Sequence, residues 1–90
     1  MVPATFELEQ NFPNPFNPTT SIRYGVPRLS HVSMKVFDIL GREVETLVNE
    51  IQPPGQYTVT LNGHNLASGV YFYRLTSGSF NATKKLLMVK

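Results

Sequence analysis

Short segments of alternating apolar and polar residues, separated by clusters of turn-forming residues, constrain this chain more than any other feature of its sequence. In the clearest example, the apolar residues Tyr57, Val59 and Leu61 are separated by threonines. Successive side chains of a β-strand point to opposite faces, so this period of two predicts strands with one buried face. No 3.6-residue period is sustained along the chain, so the pattern does not favour helices.

About seven segments are predicted as strands, at the 8–12-residue spacing that is typical of β-sandwiches and barrels. The predicted strands are Phe6–Gln10, Thr20–Val26, His31–Asp38, Glu43–Val48, Tyr57–Leu61, Val70–Leu75 and Phe80–Val89. We therefore predict an all-β fold, an immunoglobulin-like antiparallel β-sandwich of about seven strands. Its predicted core residues are Tyr24, Val36, Val59, Tyr71 and Leu75.

Two strands carry more specific expectations. The segment Val70–Leu75 is rich in aromatic and β-branched residues, which predicts a central strand buried on both faces. In the strand Glu43–Val48, we expect Val44 to point inward, together with Leu47 or Val48.

The length of 90 residues fits one domain. Charged residues make up 16% of the sequence, below the roughly 25% of an average domain, while 41% are hydrophobic, so the chain is too apolar for disorder. We interpret residues 1–5 as an N-terminal linker or cloning remnant, with Met1 as an added start codon, and residues 6–90 as the domain. Residues 1–5 have neither the basic region nor the apolar stretch of a signal peptide.

The segment Asn11–Thr20 contains three prolines, which remove backbone donors and prevent a regular strand or helix. Asn14 and Pro15 form a pair that initiates turns. Phe12 and Phe16 are too apolar for water, so we expect both to pin this segment to the core and keep it ordered.

A hairpin connection is predicted at residues 38–42. Asp38 opens it and Gly41 can adopt the positive φ that tight turns require. A calcium-binding role for Asp38 is the alternative, but no loop rich in Asp and Asn accompanies it.

No catalytic site is predicted. The chain has no cysteine, and its two histidines, His31 and His64, lack a second ligand at metal-binding spacing. Neither a nucleophile elbow nor a glycine-rich phosphate loop is present. The chain is therefore predicted not to be an enzyme and to need no cofactor or metal.

The net charge of +2 is concentrated at the end of the chain, in Lys84, Lys85 and Lys90. Proteins that bind nucleic acid show a denser basic face, so no nucleic-acid partner is predicted. No apolar run approaches the roughly 20 residues that span a bilayer.

Three segments together resemble the C-terminal sorting domain of proteins exported by the bacterial type IX secretion system, and the resemblance covers the chain from about Phe6 to Lys90. The segments are Asn11–Tyr24, Val36–Val44, and Leu66–Leu75 with the terminal Lys84–Lys90. Each motif is weak alone, but the three occur in the order and spacing of that family. A similar immunoglobulin-like module occurs in flagellar hook-capping proteins.

The resemblance implies a covalently linked cargo protein upstream and recognition by the outer-membrane translocon. It further implies that a sortase-like surface machinery often cleaves the domain, after which the cargo is anchored at the cell surface or released. The expected location is therefore the cell surface or the medium, reached through the periplasm. The residues it implies for recognition are Gly69, Tyr71, Lys84, Lys85, Leu86, Leu87, Met88, Val89 and Lys90. Structural roles are implied for Pro13, Asn14, Pro15, Phe16, Asp38, Gly41 and Arg42.

Alternatives remain open at this point. The last strand can offer an end for strand addition, with its lysines supplying charge and Leu86–Val89 apolar contacts, or it can simply close the sheet. A carbohydrate-binding or adhesive module would need a row of exposed aromatic residues, for which Tyr57, Tyr71, Phe72 and Tyr73 are the candidates. A structural spacer is a further possibility.

Overall fold

Seven β-strands make up the computed structural model, which describes residues 2–90; Met1, the first residue of the predicted linker, lies outside this range. The strands are β1 (Glu7–Leu8), β2 (Thr19–Val26), β3 (Ser30–Phe37), β4 (Glu43–Gln52), β5 (Gly55–Asn62), β6 (Gly69–Ser77) and β7 (Phe80–Met88). Within residues 2–90, no helix is long and apolar enough to cross a membrane.

The strands form two sheets, and within each sheet all neighbouring strands pair antiparallel. One sheet has the order β1-β2-β5 and the other β4-β3-β6-β7. This is the strand arrangement of an immunoglobulin-like sandwich with one difference. In a constant-type domain the fourth strand belongs to the first sheet, whereas here β4 belongs to the second. The predicted β-sandwich is confirmed.

The core lies between the facing sides of the two sheets. Its fully buried residues alternate along the strands, for example Ile22, Tyr24 and Val26 in β2, and Val32, Met34 and Val36 in β3. Of the five predicted core residues, Tyr24, Val36, Tyr71 and Leu75 are buried. The prediction is wrong for Val59, which is half-buried and packs against the margin of the core.

The prediction that Val44 points inward is also wrong, and Val44 is exposed. Two register shifts in the β3–β4 pairing leave Val44 and Leu47 of β4 without partners on β3. Such bulges turn the strand and break its alternation. Residues 43–46 are all exposed as a result, whereas Val48 reaches the core.

The outer face of β6 is not buried as predicted. Phe72 is half-buried and Arg74 is exposed, because nothing in residues 2–90 covers this side of the second sheet. The guanidinium of Arg74 lies 4.8 Å from the centre of the Phe37 ring on β3, which shields part of that ring from water.

The turn at residues 38–42 is organised by one carboxylate. Asp38 Oδ1 accepts hydrogen bonds from the backbone N–H groups of Leu40 and Arg42 at 2.9 and 3.0 Å, and Oδ2 accepts one from Arg42 Nε at 2.8 Å. The hydrogen bond from the Arg42 backbone is the main reason that the pKa of Asp38 lies below its usual value. Gly41 adopts a φ of 83° to close the turn.

Truncating the core should destabilise the fold strongly. Leu75 is fully buried in the central strand β6, so Leu75→Ala should lower the free energy of unfolding by about 2–5 kcal/mol through the cavity it leaves. Ile51 on β4 is 66% exposed, so Ile51→Ala should change the free energy of unfolding by no more than about 0.5 kcal/mol. Urea titration of both variants measures the difference, and equal losses would contradict the assignment of the core.

Candidate recognition site at the C-terminal strand

The last strand, β7, forms one edge of the second sheet and pairs with β6 along its whole length. Its side chains alternate, so Leu86 and Met88 are fully buried in the core, whereas Lys85 and Leu87 are exposed. Val89 follows the strand and is exposed as well. The apolar terminal residues therefore divide into two sets, one that closes the sandwich and one that faces solvent.

The free edge of β7 is covered by the segment Gln10–Thr20, which we call the strap. Gln10 Nε2 donates a hydrogen bond to the Lys85 carbonyl at 2.7 Å, and Asn14 Oδ1 accepts one from the Leu87 N–H at 3.0 Å. The backbone of Phe16 completes the cover. Its N–H donates to the Leu87 carbonyl and its carbonyl accepts from the Val89 N–H, both at 3.0 Å. Both backbone groups of Leu87, the Lys85 carbonyl and the Val89 N–H are thus satisfied within the domain.

The strap is held in place by Phe16, whose side chain is buried in the core. A close approach to Gly63 makes room for it. A Cβ atom at position 63 would lie 2.7 Å from Met88 Sδ and 3.2 Å from the Phe16 ring, so a larger residue would push both side chains away. The Gly63 N–H also donates a hydrogen bond to the Pro18 carbonyl at 2.7 Å.

The beginning of the strap is fixed by one tyrosine of the second sheet, Tyr73 on β6. The buried hydroxyl of Tyr73 donates to the Glu9 carbonyl at 2.7 Å and accepts from the Asn11 N–H at 2.8 Å. Asn11 is buried too, and its Nδ2 donates to Thr20 Oγ1 at 3.0 Å. Burial raises the pKa of Tyr73 to about 12.

Phe12 does not pin the strap, contrary to the prediction. Its side chain is 79% exposed, and the contact with the fold comes from its backbone, which exchanges two hydrogen bonds of 2.9 Å with Ser21 of β2. The alternation of strands explains the difference, because this bridge turns the Phe12 side chain to the outer face. Pro13 and Pro15 are exposed, and the Pro13 carbonyl accepts from Thr20 Oγ1 at 2.8 Å.

Two further candidate residues, Gly69 and Tyr71, lie where the chain enters β6. The Tyr71 hydroxyl donates to the Ala67 carbonyl at 2.6 Å, four residues upstream, which is the tyrosine corner of immunoglobulin-like sandwiches. Gly69 has a φ of 152°, a conformation that other residues rarely adopt, and no atom lies within 4 Å of where its Cβ would be. The backbone conformation, rather than lack of space, favours glycine there.

The three terminal lysines differ in their surroundings. Lys90 is tied to the loop before β6, since its backbone N–H donates to Ser68 Oγ at 2.9 Å and its Nζ to the His64 carbonyl at 3.0 Å. Lys84 is half-buried and lies opposite Tyr73, whereas Lys85 is exposed and lies opposite Phe72. Among residues 2–90, the ion pairs are Lys35–Glu43 and Arg42–Asp38, so the terminal lysines have no carboxylate partner there.

The aromatic residues considered for sugar stacking do not form an exposed row. Tyr73 is buried, and Tyr57 stacks on Tyr24 of the neighbouring strand with ring centres 5.4 Å apart. The described part of the chain also contains no group of three His, Cys, Asp or Glu residues that could hold a metal ion.

Local sequence patterns do not indicate that the strap covers β7. The edge position of β7 and the side chains that reach it, Gln10 and Asn14, follow from pairings between residues more than 70 positions apart. The sequence does give one indication, because a segment rich in asparagine and proline that also carries phenylalanines is expected to pack against the core. Local patterns do not indicate which strand it packs against.

Removing the Asn14 side chain should loosen the strap. Asn14→Ala deletes the acceptor of the Leu87 N–H, so the free energy of unfolding should fall by about 0.5–1.5 kcal/mol. Asn17 also precedes a proline in the strap and is exposed, but its side chain makes no hydrogen bond within residues 2–90, so Asn17→Ala is the matched control. Thermal or urea unfolding compares the two, and an equal loss in both variants would contradict the role of Asn14.

The stability of the domain should fall at alkaline pH because of Tyr73. In the unfolded chain its hydroxyl ionises near the ordinary pKa of 10.0, but in the folded chain only near 12, so between these values the folded state keeps a proton that the unfolded state has lost. This contribution to stability is complete below pH 10 and disappears as the pH rises to about 12. In the variant Tyr73→Phe, the free energy of unfolding measured by urea titration should fall less steeply with pH over that range. An equally steep fall in the variant would contradict the role of Tyr73.

Comparison with protein families supplies the identity of the domain. The model of the secretion system C-terminal sorting domain matches residues 10–90, which includes the strap, the turn at residues 38–42 and the last strand. Comparisons with curated proteins and with solved structures gave no match. The chain belongs to the secretion system C-terminal sorting domain family, whose members are non-catalytic and serve as the type IX secretion signal of a cargo protein.

Proposed function

We propose that the type IX machinery recognises this domain in its folded state, through the side chains that the end of β7 presents to solvent. The observation that carries the proposal is the strap: the Lys85 carbonyl, both backbone groups of Leu87 and the Val89 N–H are already hydrogen-bonded within the domain. A partner that added a strand at this position would first have to displace the strap. Side-chain contacts need no such displacement.

The predicted recognition residues then act in two ways. Lys85, Leu87 and Val89 contact the machinery directly, and Lys84 and Lys90 add to the positive charge of the terminal segment. The remaining four hold the strand in position from within the fold, namely Gly69, Tyr71, Leu86 and Met88. This division follows the burial of each side chain, except for Gly69, which is assigned by its backbone conformation.

The remaining steps of the proposal concern the cargo. The cargo protein lies upstream of residues 6–90, which form the sorting domain, with residues 1–5 as the linker. After passage across the outer membrane, a sortase-like surface machinery cleaves the domain, and the cargo is anchored at the cell surface or released into the medium. A surface that is independent of the cargo allows one machinery to serve different cargo proteins.

Export of a reporter tests the proposal. The chain is fused behind a signal peptide and a fluorescent protein and expressed in a host with type IX machinery, where the reporter should reach the surface or medium. Changing Lys84, Lys85 and Lys90 to glutamine should leave most of it in the periplasm, because the positive charge of the terminal segment is lost. Thermal melts verify that the variant stays folded, because Lys84 is half-buried and the Lys90 ammonium donates a hydrogen bond to the His64 carbonyl.

The matched control changes Arg23, Arg28 and Lys35 to glutamine, which removes the same charge from other parts of the surface. This control should be exported normally. Normal export of the terminal variant would refute recognition through its lysines, and retention of the unchanged fusion in the periplasm would refute the export function itself.

A further inference from the structure

Two neighbouring aliphatic side chains protrude from the turn between β3 and β4. Ile39 is 72% exposed and Leu40 is 74% exposed. They are held outward by the turn itself, since Asp38 accepts hydrogen bonds from the Leu40 and Arg42 backbones. Two polar residues would fit the same turn, so the turn itself does not require aliphatic side chains here. Single exposed apolar residues are common, but an adjacent aliphatic pair in a fixed turn beside grooves indicates a contact surface.

Ile39 lines two grooves beside this turn, each of about 310 Å³. The first groove is lined by Phe37, Phe72, Arg74 and Thr83, in addition to the turn. The second is lined by Ser68, Gly69, Val70 and Tyr71, in addition to the turn with its ion pair of Asp38 and Arg42. Both have apolar walls of aromatic or aliphatic side chains, and each is large enough to receive one aliphatic side chain of a partner.

The charge beside the first groove is positive and uncompensated. Arg74 lies over the Phe37 ring, and its Nε donates to Thr83 Oγ1 at 3.3 Å, which fixes the guanidinium at the rim. Within residues 2–90, Arg74 forms no ion pair, whereas Asp38 is already paired with Arg42. Lys85 lies opposite Phe72 in the β6–β7 pairing and is likewise without a carboxylate partner in that range.

We propose that this surface binds a protein segment of the type IX machinery in which aliphatic side chains alternate with a carboxylate. Aliphatic side chains would enter the two grooves that Ile39 lines, and the carboxylate would pair with Arg74. Charge complementarity favours an acidic segment, and the two concave grooves favour a polypeptide over the flat surface of a lipid layer. The identity of the partner rests on the proposed export function, but Ile39, Leu40 and Arg74 lie outside the terminal recognition residues.

Photo-cross-linking tests this inference without relying on export. The purified chain, carrying a photo-reactive phenylalanine analogue in place of Leu40, is illuminated with outer-membrane fractions from a host with the type IX machinery and from a mutant without it. The same analogue in place of Ile51, an exposed aliphatic residue of β4, is the matched control. The position-40 variant should form an adduct with one protein of the first fraction, and the cross-linked peptide should contain an acidic residue beside aliphatic ones.

Adding Arg74→Gln should reduce the yield of this adduct about tenfold, equivalent to about 1.4 kcal/mol, because the hydrogen bond between the guanidinium and the carboxylate is lost. An adduct with lipopolysaccharide would overturn the inference in favour of a membrane surface. It would also be overturned by the absence of any protein adduct, by the same adduct in both fractions, or by an equal yield from position 51. If the adduct forms but the reporter fusion is not exported, the docking surface stands and the export function of this chain fails.

Discussion

The structure depends on how the free edge of the last strand is covered. An edge strand exposes a row of unpaired N–H and C=O groups that can pair with another chain, so folded proteins protect such edges. Here the protection comes from the strap, through the Gln10 and Asn14 side chains and the backbone of Phe16. Because the strap lies near the start of the chain and β7 near its end, the cover brings the two ends of the domain into contact.

Two other features serve the same arrangement. The Tyr73 hydroxyl of the second sheet holds the backbone of Glu9 and Asn11, which directs the chain from β1 toward the edge of β7. Gly63 leaves the space in which Phe16 and Met88 pack. The end of β7 is therefore not a loose tail. It is part of the core on one side and a fixed surface on the other.

A fixed surface suits a secretion signal that must work with different cargo proteins, since its side chains keep their positions whatever precedes the domain. The proposed contacts at the end of β7 and at the turn before β4 share the second sheet, so a partner could engage both without any change in the fold.

Local patterns predict the strands well where one face is buried. The alternation in β2, β3 and β5 reflects burial directly, and Asp38 and Gly41 mark their turn through their own chemistry. The prediction for Val44 is wrong because a bulge depends on the register with the partner strand, which a single segment does not reveal. The prediction for Phe12 is wrong for a similar reason, since its orientation follows from the bridge to Ser21. The candidate site was predictable in part: the resemblance to the family located the terminal strand, but periodicity alone could not indicate which face of an edge strand meets the core. Nor could it assign the hydroxyls of Tyr71 and Tyr73, because the carbonyl groups that they bond come near only in the folded chain.

Amide hydrogen exchange tests the central claim, that the backbone at the end of β7 is already satisfied within the domain. The amides of Leu87 and Val89 point to the strap rather than to β6 and are bonded to Asn14 and Phe16. They should exchange as slowly as amides in the β6–β7 ladder, and the Leu87 amide should exchange faster in Asn14→Ala. If Leu87 and Val89 in the unaltered domain exchange at the rate of unprotected amides, the edge is open, and recognition by strand addition replaces recognition through the exposed side chains.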